Sequence, residues 1–143
     1  AKRYDVESRG LGDVYKRQEK KIREKHLQNK IFLLLKRNDV NEIYNAMDLF
    51  LFPSLYEGLP VVLIEAQTNG LPIVASDTID KDSDYTNTIS FLSLQDSKDV
   101  WITEIEKRIG KIGKRTDNRK LMENSKYNIK NTVEQIEEIY SKI

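Results

Sequence analysis

Apolar and polar residues follow one another along the chain in blocks that predict alternating strands and helices. Short, nearly continuous apolar runs are typical of parallel strands covered on both faces. Such runs predict strands at residues 31–35, 48–52 and 72–76, a mixed run predicts an edge strand at 89–94, and apolar residues at helical spacing predict helices at 39–47 and 59–68. Because the loops between them are short, right-handed crossovers and a parallel sheet are expected. The predicted fold class is therefore α/β.

The two ends of the chain have mainly helical patterns. Residues 19–25 predict the last part of a charged helix, with His26 at or just past its C-terminal end. After the edge strand, Val100, Trp101, Ile105 and Ile109 recur at helical spacing, and Gly110 and Gly113 are expected to end that helix. Two further helices are predicted at 116–124 and 127–143, the last with one apolar face formed by Ile129, Val133, Ile136 and Tyr140.

Residues 49–66 contain the main candidate functional residues. The first apolar run of this stretch breaks at Pro53, and Pro60 is expected at the first position of the next helix, where a missing N–H removes no hydrogen bond. That helix is expected to stop at Asn69-Gly70, because a residue free to adopt positive φ ends helices. The stretch therefore predicts a strand, a loop and a helix, with Glu57 before the helix and Glu65 inside it.

The start of this helix is a candidate anion site. Unpaired N–H groups of a first turn attract negative groups, and Leu59, Val61 and Val62 are the expected donors. Carboxylates make poor phosphate ligands but accept hydrogen bonds from sugar hydroxyls. Glu57 near the helix start and Glu65, about two turns on, would suit a molecule with hydroxyls at both ends and a diphosphate between them. A nucleotide sugar has this shape.

Arg37 and Asn38 are a second candidate contact. They follow the predicted strand 31–35 at its carboxyl end, and ligands of open α/β sheets bind outside the carboxyl ends of strands. The two side chains are therefore expected beside the nucleotide base, with simple surface solvation as the alternative.

The residues Pro-Ser-Leu-Tyr-Glu-Gly-Leu-Pro-Val-Val-Leu-Ile-Glu-Ala, followed by Asn-Gly-Leu-Pro-Ile-Val-Ala-Ser, resemble the E-x7-E segment of family 4 retaining glycosyltransferases of the capsular or exopolysaccharide type. The resemblance implies the Rossmann-like, donor-binding C-terminal half of a GT-B fold over residues 19–143. It implies transfer from a nucleotide sugar, a UDP-sugar above all, to a lipid-linked or saccharide acceptor held by the other half.

The resemblance also implies roles for single residues. Glu57 would contact the transferred sugar as the catalytic residue, and Glu65 the ribose hydroxyls. The backbone of Gly58, Leu59, Pro60, Val61 and Val62 would surround the diphosphate, so that no metal ion or other cofactor is needed. Because the basic residues that this family uses against the diphosphate lie further upstream, the chain alone is expected to be inactive.

Three alternatives stay open at this point. Structurally, Glu57 would only cap the helix and Glu65 would be a solvated helix residue. Functionally, a nucleotide-sugar 2-epimerase has the same two-domain architecture, but it needs a carboxylate and histidine set that the single His26 does not supply. The third alternative is a non-catalytic nucleotide-sugar-binding module.

Composition narrows the function classes. The net charge of +1 gives no basic surface for nucleic acid. With no cysteine and one histidine, disulfides and zinc sites are not expected. No apolar run has the length of a membrane span. A cytoplasmic location is expected, which leaves room for peripheral membrane association of the full-length enzyme.

Residues 1–18 are expected to be a non-native leader. Residues 8–18 resemble the in-frame translation of a sequencing-library adapter, so no function is assigned before Glu19. The alternative is a genuine loop containing Gly10 and Gly12, which would otherwise invite a phosphate-binding interpretation.

Overall fold

A computed structural model describes residues 2–34, 36–110 and 115–142, with side chains from residue 12 onward. The chain divides into two compact units, Ala1–Asn38 and Asp39–Ile143.

The first unit contains one long helix, α1 (Lys2–Glu24). Two ion pairs at i,i+4 spacing, Lys20–Glu24 and Glu19–Arg23, support its exposed face. His26 ends the helix with φ 54°, which confirms its predicted position. Gly10 and Gly12 lie inside α1, so the alternative of a glycine loop is wrong: regular helix leaves no irregular backbone to surround a phosphate.

The predicted strand at 31–35 is also wrong over its described part. Residues 31–34 pair with no strand of the described chain, and Leu35 lies outside the described residues. Phe32 is 74% exposed and Leu34 is exposed as well. A parallel strand exists only through hydrogen bonds to a neighbour, so an apolar run alone does not form one.

The second unit contains a parallel three-stranded sheet in the order β1-β2-β3. The strands are β1 (Phe50–Phe52), β2 (Ile73–Ser76) and β3 (Ile89–Leu92), with Leu51 opposite Val74 and Val74 opposite Ser90. Every residue of the central strand β2 is buried, as continuous apolar runs in parallel sheets predict. The predicted parallel α/β architecture and the edge position of the last strand are confirmed.

Five helices accompany the sheet within the second unit as described: α2 (Val40–Ala46), α3 (Val61–Thr68), α4 (Lys98–Ile109), α5 (Arg119–Glu123) and α6 (Ile129–Tyr140). A short 3₁₀ helix, Lys81–Ser83, precedes β3. Helix α4 ends at Gly110 as predicted, whereas Gly113 lies outside the described residues. Helix α5 is shorter than the predicted 116–124.

Helix α3 is the centre of the core. Its side chains Leu63 and Ala66 pack with Tyr44 of α2 and with Ile73 and Ala75 of β2. On the same helix, the fully buried Gln67 donates from Nε2 to the carbonyl oxygens of Leu63 and Ser83 and accepts at Oε1 from the Thr86 N–H. A buried amide needs hydrogen-bond partners for all its polar atoms. The bonds to Ser83 and Thr86 also connect α3 to the segment before β3.

The end of α3 confirms the predicted glycine stop. Gly70 has φ 65°, its N–H donates to Gln67, and the Leu71 N–H donates to Ala66, which is the Schellman arrangement. A methyl group on Gly70 would lie 2.1 Å from the Thr116 carbonyl oxygen, so the packing of residue 116 also requires glycine here.

Helix α6 forms at the predicted place, yet none of its described residues is buried. Its apolar side chains Ile129, Val133, Ile136 and Tyr140 are exposed. Among the described residues, no helix combines the length and the apolar character that are needed to cross a bilayer.

Candidate functional site

The motif loop, residues 53–60, connects the carboxyl end of β1 to the start of α3. Its first part is fixed to the next strand: the Ser54 carbonyl oxygen accepts hydrogen bonds from the hydroxyls of Ser76 and, at 2.9 Å, Thr78. Pro53 has no N–H for a ladder, which is why β1 stops before it. The carboxyl ends of β1 and β2 therefore hold the loop between them.

Glu57 is positioned by a neighbour in the same loop. Its Oε1 accepts a hydrogen bond from the Ser54 hydroxyl at 2.7 Å, and its side chain is only partly exposed. It does not cap α3, whose N-cap residue is Pro60, so the capping alternative is wrong. Glu57 keeps unused acceptor positions at the loop, and the adjacent Leu55 and Tyr56 are strongly exposed.

The start of α3 differs in one detail from the expectation. Pro60 lies one position before the first helical residue, with φ −78° and ψ 83°. This conformation is an inverse γ-turn, in which the Val61 N–H donates to the Leu59 carbonyl oxygen at 3.0 Å. Of the three expected donors, Val61 is therefore engaged. The N–H groups of Leu59 and Val62 make no hydrogen bond within the described chain.

Glu65, the fifth residue of α3, is half-buried and does not lie free in solvent as the structural alternative supposed. Its Oε2 accepts a hydrogen bond from the Tyr44 hydroxyl at 3.1 Å. Tyr44 belongs to α2 and is 3% exposed. Burial, the hydrogen bond to Glu65 and the charge of Glu65 together raise the pKa of Tyr44 to about 12, so it stays a hydrogen-bond donor at neutral pH.

Tyr44 is the site neighbour that the sequence analysis missed. A signal for it exists: a tyrosine at a core-facing position of a helix needs a partner for its hydroxyl, and a carboxylate on the next helix can supply one. The spacing along the chain, 21 residues, hides this pairing until the helices are packed.

Arg37 and Asn38 belong to the first unit and are exposed. Because residues 31–34 form no strand, these two side chains do not follow the carboxyl end of a strand as predicted. Their contact with a nucleotide base stays a prediction that depends on the family resemblance.

One cavity lies beside the motif loop that precedes α3, and another lies at the end of α3. One of about 300 Å³ opens beside the motif loop, lined by Gly58, Leu59 and Pro60 and, opposite them, by Asp80, Asp82, Ser83, Lys126 and Tyr127. The other, about 580 Å³, lies at the C-terminal end of α3 beside Thr68 and Asn69. Neither Glu57 nor Glu65 lines either cavity, and the smaller one is assigned to the motif loop because Gly58, Leu59 and Pro60 form one of its walls.

Residues 9–85, just over half of the chain, match the family described as Glycosyl transferases group 1. The strand–loop–helix arrangement and the parallel sheet are both consistent with this family match. The chain belongs to the group 1 glycosyl transferases, and its α/β unit is consistent with a Rossmann-like half of a GT-B fold.

Among individual proteins, the chain is similar to EpsF of Bacillus subtilis, named as a glycosyltransferase, with 36% identity over 104 residues, which are 72% of this chain and 27% of EpsF. The UDP-Gal:alpha-D-GlcNAc-diphosphoundecaprenol alpha-1,3-galactosyltransferase of Escherichia coli is 45% identical over 36% of this chain and 13% of its own length. The amylovoran biosynthesis glycosyltransferase AmsD of Erwinia amylovora is 37% identical over 40% of this chain and 16% of its own length.

The chain thus spans about a quarter of the length of EpsF and less of the other two relatives. No solved structure gives a significant match to the chain.

Proposed function

We propose that the chain is the donor-binding part of a retaining glycosyltransferase of cell-surface polysaccharide synthesis. The donor is a nucleotide sugar, in the first place a UDP-sugar, and the acceptor is a saccharide or a lipid-linked sugar. The family supports the reaction class. The names of the Escherichia coli and Erwinia amylovora relatives support the donor, the lipid-linked acceptor and the polysaccharide product. On this proposal the enzyme works in the cytoplasm, with its acceptor at the membrane surface.

The observation that carries the proposal is the way the two acids are held. Each accepts one hydrogen bond from a hydroxyl of the chain, Glu57 from Ser54 and Glu65 from Tyr44, and each keeps one carboxylate oxygen unengaged by the described chain. An ionised carboxylate offers about four acceptor positions, so both retain capacity for ligand hydroxyls. The open start of α3 lies between them along the chain.

We assign the groups accordingly. Glu57 contacts the transferred sugar and Glu65 the ribose hydroxyls. The free N–H groups of Leu59 and Val62, with the positive end of the α3 dipole, receive the diphosphate, where negative charge builds as the sugar departs. No metal ion is required by this assignment. Arg37 and Asn38 stay candidates for the base on the resemblance alone.

We further propose that this chain by itself binds the donor weakly and does not transfer the sugar. It covers only 27% of EpsF, and the proposed acceptor site belongs to the other half of the fold. Transfer of labelled sugar to any acceptor by the isolated chain would contradict this part of the proposal.

The donor assignment can be tested by saturation-transfer NMR with UDP, UDP-glucose, UDP-galactose and GDP-mannose. Wild type is compared with Glu57→Gln, Glu65→Gln and, as a control, Glu134→Gln on the exposed surface of α6. Losing hydrogen bonds to a charged acceptor weakens binding roughly tenfold. Glu65→Gln is expected to weaken the binding of UDP and of UDP-sugars equally. Glu57→Gln is expected to weaken the binding of UDP-sugars and to leave the binding of UDP unchanged.

The control variant is expected to bind every ligand as the wild type does. The proposal fails if the wild type binds none of the four probes. The role of Glu65 fails if its variant binds UDP as well as the control variant does.

A further inference from the structure

To accept hydrogen bonds from both ribose hydroxyls, the carboxylate of Glu65 must be held in one orientation on α3. A glutamate side chain on a helix surface rotates about three bonds, and fixing it on ligand binding costs conformational entropy. In this structure the carboxylate is already fixed at one oxygen, because the Tyr44 hydroxyl donates to Oε2 at 3.1 Å. The other oxygen, Oε1, accepts no hydrogen bond from the described chain.

Tyr44 is itself held both by its ring and by its backbone. Its ring is buried and packs edge-on against Phe50, with ring centres 5.8 Å apart and an angle of 80° between the planes. Its carbonyl oxygen accepts a hydrogen bond from Arg115 Nη1 at 2.8 Å. The hydroxyl is therefore carried by a side chain with almost no freedom of its own, which is the property a positioning group needs.

We infer that Tyr44 is a positioning residue for donor binding: its hydroxyl fixes Oε2 of Glu65, so that Oε1 and the remaining lone pairs accept both hydroxyls of the ribose. This inference rests on the proposed function of Glu65. Tyr44 touches no ligand in this arrangement; its hydroxyl lies 3.4 Å from the Val62 carbonyl oxygen as well, but the shorter contact is the one to the carboxylate, through which it acts. With its pKa raised to about 12, the hydroxyl keeps its proton at neutral pH.

The competing explanation is that the carboxylate merely satisfies a buried hydroxyl and the pair contributes only to stability. The chain contains a matched case for comparison. Tyr85 is half-buried, burial raises its pKa, and its hydroxyl lies 2.8 Å from Thr68 Oγ1 on α3, three residues after Glu65. Tyr85 thus contacts α3 without touching the proposed site.

The experiment measures UDP binding by NMR titration for wild type, Tyr44→Phe, Tyr85→Phe, Glu65→Gln and the double variant Tyr44→Phe/Glu65→Gln. Tyr44→Phe keeps the ring and its packing on Phe50. It is expected to weaken UDP binding roughly three- to tenfold, since one hydrogen bond to a charged group is lost. Tyr85→Phe is expected to bind as wild type does. In the Glu65→Gln background, removing the Tyr44 hydroxyl should have little further effect.

A spectroscopic signal of Glu65 provides a second measurement that needs no ligand. The carboxyl carbon of Glu65 should change its chemical shift in Tyr44→Phe and not in Tyr85→Phe. An unchanged shift would overturn the inference even if Tyr44→Phe lowered stability.

The outcomes separate the two proposals. If wild type binds no UDP, the proposed function fails and the inference with it. If wild type binds UDP and the two tyrosine variants bind it equally, only the inference fails. If Tyr44→Phe weakens binding as strongly in the Glu65→Gln background as in wild type, Tyr44 acts on the fold and not through Glu65.

Discussion

Helices α3 and α6 have opposite relations between sequence pattern and burial. Helix α3 is apolar on nearly all sides and buries Leu63, Ile64, Ala66 and Gln67. Helix α6 has the clear two-faced pattern of a surface helix, yet it buries none of its described residues. Two isoleucines make the contrast quantitative: Ile64 is 5% exposed and Ile136 47%. An amphipathic pattern thus specifies which face of a helix should be covered, but covering it requires a partner surface.

The difference matters for the site. Helix α3 is fixed by the core. Glu57 lies in the loop before this helix and accepts a hydrogen bond from Ser54, and Glu65 lies on the helix and accepts one from Tyr44. A binding group on a helix fixed by its packing keeps its geometry better than one on a loosely attached helix. The same property makes α3 the place where substitutions should be most costly.

The largest expected effect on stability comes from shortening the buried isoleucine of α3, compared with the exposed isoleucine of α6. Ile64→Ala should lower the free energy of unfolding by about 3 kcal/mol, because it removes buried methyl groups and leaves a cavity. Ile136→Ala on α6 should change it by less than about 0.5 kcal/mol, since the side chain is exposed and alanine is the better helix former. Denaturant unfolding monitored by circular dichroism measures both.

Equal losses for the two variants would contradict the comparison. They would mean that the apolar face of α6 is covered in solution, and repeating the unfolding at several protein concentrations would show whether a second copy covers it.

The next largest effect is expected from the buried amide of α3. Gln67→Leu keeps the volume of the side chain but leaves the Ser83 carbonyl oxygen and the Thr86 N–H without their partner. Unsatisfied buried polar groups should lower the free energy of unfolding by about 2 kcal/mol. The matched change Gln135→Leu, at an exposed position of α6, should be close to neutral.

Thermal unfolding of the two glutamine variants checks this prediction. A Gln67→Leu protein as stable as Gln135→Leu would mean that water replaces the lost amide, and the contrast between the helices would then depend on apolar packing alone.

The smallest effect concerns α4, which is intermediate between the other two helices. It buries no residue among its described positions, but Glu104 accepts hydrogen bonds from Lys107 and from Ser90 of β3. These bonds, Lys107 first, lower the pKa of Glu104 from 4.5 to about 2. The contribution of Glu104 to stability is therefore complete above pH 4.5 and is lost as the pH falls from 4.5 towards 2.

Glu104→Gln should lower the free energy of unfolding by about 1 kcal/mol at pH 7, a modest value because Lys107 is exposed. The difference between the melting temperatures of this variant and wild type should shrink as the pH is lowered through that range. Glu106→Gln, exposed on the same helix, is the control. A difference that stays constant with pH would show that Glu104 contributes through packing and not through charge.

Local patterns predicted much of the second unit. Strands β1 and β2, the helix between them, the glycine stop at Gly70 and the parallel arrangement follow from apolar runs and turn residues. The strand prediction at 31–34 failed for the same reason that α6 is left uncovered. An apolar pattern indicates which surface should be buried, but it does not specify which other surface will pack against it. Within the described chain, residues 31–34 are not part of the sheet.

At the candidate site the same division holds. The order of strand, loop and helix and the two acids could be read from the chain, because they depend on neighbours a few residues away. The γ-turn at Pro60, which engages the Val61 N–H, depends on a ψ angle that no residue pattern fixes.

The sequence by itself determined the motif, the helix that carries it and the type of sheet beneath it, since backbone propensities and apolar spacing are local properties. Only the tertiary structure decided which tyrosine meets Glu65 and which strand end holds Ser54. These pairs are 21 and 22 residues apart along the chain, and they form only when packing of the sheet and helices brings a donor and an acceptor within hydrogen-bonding distance.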